Sequence, residues 1–297
     1  MLLSHLGIAV RRVPRAERVR GVARVPIGRF HINIPRVNPL ATGYVTSPDY
    51  SGELGRLVAA VARKYPGRGL IDVGANVGDT AAIAKNVADI PILCVEGDPH
   101  SFAFLRENMK QFAHVTLVQA FLDESSGTRQ LRASKVGWNA TLVPATGQGG
   151  SSEILELLSL DDVIAAQGSG PDVYKILKID AEGFDLRILR GSSRFVSEAR
   201  PVLYFEYNRE NLSALGEDGL QAFEWLRSHG YTHVTIFDAR GQFITEADLS
   251  NTTLIEDLHR YARHPSPIVY YDVCAFHLDD ADVAQWFAAQ ERTRRPA

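Results

Sequence analysis

Five short apolar runs in this chain read as strands, and the residues at their ends could do chemistry. The first breaks into Asp72-Val-Gly74-Ala-Asn76-Val-Gly78 and the second stops at Glu96. The third runs out near Ala120-Phe121-Leu122-Asp123, the fourth stops at Asp180, and the fifth stops at Glu206. Four of these five ends carry a carboxylate, although Asp and Glu are only 35 of 297 residues. A carboxylate withdrawn from water is costly unless it is paired or bound to a ligand. In an open α/β sheet, ligands sit beyond the carboxyl ends of the strands. A cluster of acids there suits a ligand carrying hydroxyls, an amine or a positive charge.

The first loop narrows the choice. Gly74 and Gly78 permit a tight turn and a close backbone approach, and the helix that follows opens with free N–H groups able to hold an anion. Glu96 stands 24 residues after Asp72, where an acid accepts hydrogen bonds from the hydroxyls of a ribose. The dinucleotide fingerprint G-x-G-x-x-G brings backbone against a pyrophosphate. Here the pattern is Asp-x-Gly-x-Asn-x-Gly, with an acid where the fingerprint starts on glycine. An acid so close repels pyrophosphate and favours an ammonium or sulfonium group. S-adenosylmethionine offers both, together with a ribose and a small carboxylate.

On this reading Gly74 and Gly78 hold the methionine portion, Asp72 anchors its amine directly or through water, and Asn76 orients the loop. Glu96 holds the ribose, while Ala120 and Phe121 border the adenine. Each residue has a plain structural alternative: an ordinary strand-to-helix turn, a buried acid bonding loop amides, a helix cap, or an apolar strand end. Asp98, just before Pro99, fits the capping role for the second helix better than a ligand role.

Transfer of a methyl group from sulfur is an in-line displacement, so positioning supplies much of the acceleration, and a hydroxyl acceptor must also lose its proton. Asp180, Glu182 and Glu206 are the candidate catalytic residues, with Asp180 facing the reacting centre. The same three oxygen donors could instead hold Mg²⁺. Trp138, Asn139, Tyr207 and Asn208 are candidates for the acceptor site, with Tyr44 a further guess. His100 and His277 end up near element boundaries from which they could reach the pocket rim, although a surface or core role suits a lone histidine better.

The elements that must position these residues follow from periodicity. The spacing predicts helices over 53–64, 79–88, 99–112, 159–167, 184–196 and 219–229, and strands over 69–73, 90–95, 115–120, 174–179, 202–205, 232–237 and 269–276. Residues 128–143 read as a hairpin or irregular strand pair, 145–152 as a flexible loop, and 288–297 as a frayed end. No helical pattern fills the gap before the last strand. Strand–helix alternation indicates a parallel sheet covered on both faces, and the last two strands, lacking a crossover helix, indicate an antiparallel finish.

With 45% apolar and 23% charged residues the chain can bury a core, and a formal charge of −3 argues against a globally basic nucleic-acid coat. No apolar run approaches the ~20 residues of a membrane span. Cys94 and Cys274 each lie in an apolar run and read as reduced core thiols, too few for a disulfide framework or zinc site. Residues 1–30 carry seven arginines and one acid. Pro14 and Pro26 break any long amphipathic helix there, and Arg outnumbers Lys 26 to 6 in the whole chain, so a solvated lead is expected. The expected division is a lead over 1–49, a catalytic domain over 50–278, and a helix or tail over 279–297. The location expected is cytoplasmic.

Three runs resemble motifs of one family. Leu70-Ile-Asp-Val-Gly-Ala-Asn-Val-Gly78, Val95-Glu-Gly97-Asp-Pro99 and Leu177-Lys-Ile-Asp-Ala-Glu-Gly-Phe-Asp-Leu-Arg-Ile-Leu-Arg-Gly191 are similar to those of FkbM methyltransferases, over roughly residues 68–207. Phe184 and the Phe-Leu-Asp after Ala120 depart mildly from the family pattern. The resemblance implies a Rossmann-like class I methyltransferase fold, α/β with a mostly parallel seven-stranded sheet, helices on both faces and an antiparallel C-terminal strand. It also implies S-adenosylmethionine as cofactor, with Gly97 joining Glu96 in its binding, and methylation of a hydroxyl on a sugar, glycoside or natural product. The partner expected is a small polyhydroxylated or glycosylated acceptor, with no nucleic acid, no membrane span, and a homo-oligomer possible. The competing readings are a carboxyl- or N-methyltransferase, an NAD-type oxidoreductase or epimerase, and a member that binds the nucleoside without catalysis.

Overall fold

In a computed structural model, the described residues are 21–47, 49–136, 139–144, 153–168, 170–262 and 270–294, with backbone alone for 132–136, 139–144 and 153. Trp138 and the expected loop over 145–152 lie outside them, as do five of the seven arginines of the lead.

The strands are β1 (Val22–Ile27), β2 (Phe30–Pro35), β3 (Gly69–Val73), β4 (Ile92–Glu96), β5 (Val115–Gln119), β6 (Phe121–Leu122), β7 (Gly127–Val136), β8 (Asn139–Pro144), β9 (Glu153–Leu158), β10 (Tyr174–Ile179), β11 (Val202–Tyr207), β12 (Tyr231–Asp238), β13 (Phe243–Asp248) and β14 (Tyr271–His277). The helices are α1 (Leu40–Thr46), α2 (Gly52–Lys64), α3 (Asp79–Val87), α4 (Pro99–Met109), α5 (Leu160–Gln167), α6 (Asp185–Arg190), α7 (Ser193–Ala199), α8 (Arg209–Ala214), α9 (Leu220–Ser228), α10 (Thr252–Tyr261) and α11 (Ala281–Thr293).

The main sheet runs β13-β12-β14-β11-β10-β3-β4-β5. β5, β4, β3, β10 and β11 pair in parallel, and β14 pairs antiparallel with both β11 and β12. The seven expected strands are all present, and β13 adds an eighth at the edge. β13 and α10 fill the gap that periodicity leaves blank. β13 is a half-exposed edge strand with a single buried side chain, Ala247, so it carries no apolar alternation to read.

Pleating sends alternate side chains to opposite faces. Ile71, Val73, Leu93, Val95, Leu177, Ile179, Leu203 and Phe205 face a core shared with α5, α6, α7 and α9. Leu70, Ile92, Cys94, Ile176, Val202, Tyr204, Cys274 and Phe276 face a second core closed by α2, α3, α4 and α11. Both cysteines are free and buried there. In the same row as Cys94 and Cys274 stand two charged residues, Asp72 on β3 and Lys178 on β10, directly paired in register. Lys178 Nζ lies 3.1 Å from Asp72 Oδ1.

Three expectations need correction. The helix over 184–196 is two, α6 and α7, because the chain leaves helical geometry at Ser192 (φ −112°, ψ 12°), next to Gly191, which packs against the Asp123 carbonyl with no room for a side chain. The end is not frayed at 288. α11 continues to Thr293, Phe287 and Ala288 are buried, and Arg56 of α2 grips Glu291 (Nη2 to Oε2, 2.8 Å). The described part of the lead is no solvated arm. β1 and β2 form a hairpin whose Val25, Ile27, Ile32 and Ile34 share a core with Val77, Ala82 and Ile83. Cuts at 49/50 and 278/279 would therefore run through packed cores. Among the described residues no helix is long and apolar enough to cross a membrane.

Removing one partner of a buried ion pair strands the other charge. Lys178→Met is expected to cost about 3–5 kcal/mol of unfolding free energy, and the added change Asp72→Asn to restore most of it. Urea unfolding followed by circular dichroism measures both; an unchanged midpoint in Lys178→Met would refute a buried pair.

Candidate functional site

The row above Asp72 and Lys178, two residues further along each parallel strand, breaks the surface at the carboxyl edge. It comprises Gly74, Glu96, Asp180 and Glu206, and across the antiparallel ladder Asp272 stands opposite Glu206. A single cleft is lined by these residues together with Tyr50, Glu53, Asp79, Gly97, Ala120, Phe121, Glu182, Tyr204 and Tyr270, among others.

The loop from β3 to α3 is built by close packing. Gly74 has φ of +71° and its N–H donates to the Val95 carbonyl at 2.9 Å; a Cβ there would drive into the Asp180 carbonyl oxygen. Asn76 adopts φ of +48°, a region that asparagine tolerates better than most residues. The loop is braced from the N-terminal hairpin: Asn108 donates to the Val77 carbonyl at 2.8 Å and accepts from the Asn33 N–H at 2.8 Å. Asn38 Nδ2 reaches Asn76 Oδ1 at 3.3 Å. Gly78 turns at φ of +89° against Leu105 and Met109 and does not line the cleft.

Glu96 closes the other side of that loop. Its Oε2 accepts the Asn76 N–H at 2.8 Å and its Oε1 the Asp98 N–H at 2.7 Å. Burial raises its pKa while the two N–H groups oppose the rise. Each oxygen keeps a lone pair for a hydroxyl. Asp98 caps α4, accepting from the His100 and Ser101 N–H groups at 3.0 and 2.9 Å.

Asp72 does not reach the cleft. It is fully buried, and burial pushes its pKa up to about 6 against the pull of Lys178. Burial works to lower the Lys178 pKa, but Asp72, Asp180 and Asp79 outweigh it and raise the pKa. From there Lys178 Nζ donates to the Gly74 carbonyl at 3.2 Å and stands 3.7 Å from Asp180 Oδ2. A lysine inside the apolar run 174–179 was the readable signal for this pair, because a charge in a buried strand demands a partner.

The acids of the β10 turn and its neighbours sit close enough to disturb one another. Glu182 holds φ of +51°, and burial followed by Asp180 pushes its pKa up to about 7. Asp185 is pushed to about 8 by burial and then Asp180, and its Oδ1 has no hydrogen-bond partner among the described residues. Burial, then Asp180, Asp185, Asp272 and Glu182, drive the Glu206 carboxyl well above the usual range. Among the described residues, no group of three or more His, Cys, Asp or Glu side chains is placed to hold a metal ion. Asp180, Glu182 and Glu206 therefore do not converge as the Mg²⁺ set that the sequence left open.

Several candidates do other work. Tyr207 points to the opposite face of β11 from Glu206, is buried, and hydrogen-bonds His259 Nδ1 at 2.6 Å. Asn208 caps α8 through the Glu210 and Asn211 N–H groups. Asp123 is pinned by Arg187 and Arg129, which more than offset its burial and lower its pKa. Tyr44 donates to Asp79 Oδ2 at 2.9 Å. His277 ends β14, but β14 runs opposite to the parallel strands, so that end is on the far edge from the cleft. His100 packs edge-on against Phe104 and does not line the cleft. Asn139 lies at the start of β8, opposite Val136. The antiparallel course of β14 also explains what strand-end reasoning missed: it delivers its amino end, Tyr270 and Asp272, to the acidic edge.

The model of the methyltransferase FkbM domain matches residues 72–232, more than half of the chain. No curated protein matches it in sequence. Among solved structures, a methyltransferase FkbM from Methylobacillus flagellatus is 16% identical, with a TM-score of 0.44, over 71% of this chain and 43% of that one. This chain thus spans less than half the length of that relative. A precorrin-6y C5,15-methyltransferase from Geobacter metallireducens is 18% identical (TM-score 0.39, 76% of this chain and 86% of that one). TYW2 of P. horikoshii, in complex with MeSAdo, is 12% identical (TM-score 0.42, 86% and 70%).

The raised Asp185 pKa has a consequence for stability. Between the ordinary carboxylate pKa and about 8 the folded chain holds a proton that the unfolded chain releases, so this group makes stability fall as pH rises through that window. Asp185→Asn removes the contribution. Urea midpoints at pH 5 and pH 8 should draw together in the variant relative to the parent, and an equal drop in both would show that Asp185 is not the source.

Proposed function

Because the chain belongs to the methyltransferase FkbM domain family, we propose that its cleft holds S-adenosylmethionine and directs methylation of a hydroxyl oxygen on a sugar, glycoside or natural-product acceptor. The observation that carries the reading is the acidic carboxyl edge, where a glycine turn lies beside Glu96 and the acids of β10, β11 and β14 line the same cleft. When bound, the cofactor supplies a methyl group on a cationic sulfur, open to attack in line with the S–C bond.

The residues divide the work by position. The turn from Gly74 to Asn76 and the first N–H groups of α3 face the amino-acid end, with Asn76 fixing the turn. Glu96 takes the ribose hydroxyls on its free lone pairs, Gly97 admits close approach, and Ala120 and Phe121 flank the base. Gly97 has no room for a side chain, because a Cβ would strike the Phe121 ring. Asp72 acts from beneath the loop through Lys178 and the Gly74 carbonyl. A diphosphate in the same place would face Asp79, Glu96 and Asp180, which is why a dinucleotide fits poorly.

For the acceptor, Glu182 is the residue matched to receive the hydroxyl proton near neutral pH, since a general base works best with a pKa close to the working pH. Asp180 contributes negative charge at the mouth of β10, half-exposed to the cleft. Glu206, whose carboxyl is driven well above the usual carboxylate range by burial and the neighbouring acids, stands beside them at the acceptor end.

Calorimetric titration should show binding of S-adenosylhomocysteine and none of NAD, with Glu96→Gln weakening the former about tenfold or more. Binding of NAD alone would overturn the reading. With an acceptor in hand, kcat/KM should climb with pH and level off above about 7, where Glu182 has lost its proton, and Glu182→Gln should flatten that limb while slowing turnover ~10²-fold or more. A parental pH profile in Glu182→Gln would move the base to another residue.

A further inference from the structure

We propose that Glu206 and Asp272 form a cation subsite at the acceptor end of the cleft, and that the methyl acceptor carries a protonated amine beside its hydroxyls. The inference rests on the methyl-transfer reading and specifies the substrate class for that same site.

Glu206 and Asp272 are direct partners across the β11–β14 ladder. Like charges directly opposite on neighbouring strands repel, so this pair is relieved either by taking up a proton or by a cation on the ligand side. Glu206 Oε1 is closed off from solvent and has no hydrogen-bond partner among the described residues. The residue itself lines the cleft. No ion pair within the described residues reaches either carboxyl group, although the Tyr204 hydroxyl bonds Asp272; Lys178, on the neighbouring β10, is engaged with Asp72 one row below. The lining as a whole is lopsided, with eight carboxylic side chains (Glu53, Asp79, Glu96, Asp98, Asp180, Glu182, Glu206, Asp272) against Lys178 and Arg240. One sulfonium and one amine from the cofactor, with Lys178 and Arg240, still leave acids over. Tyr50 and Tyr270 line the cleft as well, and aromatic rings beside an acid pair suit an ammonium group. The proton balance agrees. Burial and neighbouring acids raise both carboxyl pKa values when nothing cationic is present, and an ammonium between them would return both to the ionised state.

The test uses the full chain saturated with S-adenosylhomocysteine and two probes, the β-1,4 tetramer of glucosamine and its fully N-acetylated counterpart, in which neutral acetamides replace the ammonium groups. Calorimetry is expected to show the amine form binding about tenfold tighter or more. Asp272→Asn and Glu206→Gln should each erase most of that preference while leaving S-adenosylhomocysteine affinity unchanged, which also reports that the variants are folded. Equal binding of the two tetramers, binding of neither, or a preference that survives in both variants would overturn the subsite while the methyl-transfer reading stands. Failure of S-adenosylhomocysteine itself to bind would overturn that reading, and the subsite with it.

Discussion

Asp72 and Lys178 stand side by side in the middle of a sheet whose neighbouring positions are apolar, 3.1 Å apart and screened from water. Two charges so placed are tolerable only together, and their joint position decides what the edge above them can be. Lys178 reaches the Gly74 carbonyl and the Asp180 carboxylate, so the loop after β3 and the turn after β10 are tied to the same ammonium group. With a positive charge under the floor, a dense ring of carboxylates can exist at the mouth of the sheet without scattering the loops that carry them.

Pleating supplies the second constraint. One residue along β11 separates Glu206, which lines the cleft, from Tyr207, which is buried in the opposite core against His259. The acids of β4, β10, β11 and β14 reach one edge because each falls on the same parity of its strand as the apolar side chains that α2, α3, α4 and α11 cover. A shift of one residue in any of these pairings would exchange an acid for a core side chain. The site and the core beneath it are thus specified by the same register.

The N-terminal hairpin enters the site from outside the sheet. Asn33, Asn38 and Asn108 form a polar bracket between the hairpin, α4 and the Gly74–Gly78 turn, bonding the Val77 carbonyl and the Asn76 side chain. Residues of the lead expected to be solvated therefore hold the left-handed loop in shape, and the core they share with α3 keeps them there.

By itself the sequence determined the alternating elements, the parallel core with an antiparallel finish, the glycine turn, and the acids Glu96, Asp180, Glu182 and Glu206 near strand ends. These are local or nearest-neighbour properties, written in period-2 and period-3.6 patterns and in the few residues that permit positive φ. What only the tertiary structure decided are relations between distant segments. Asp72 is paired below the cleft instead of open to it because Lys178, 106 residues later, is in register with it. Tyr207 and Asn208 are structural because β11 runs two residues past its expected end and α8 begins there. Asp272 and Tyr270 join the acidic edge because their strand runs backwards, a fact about pairing that no window of sequence contains. The chemistry of each side chain is local, but which side chains meet depends on strand order and direction, and those are fixed only when the sheet is assembled.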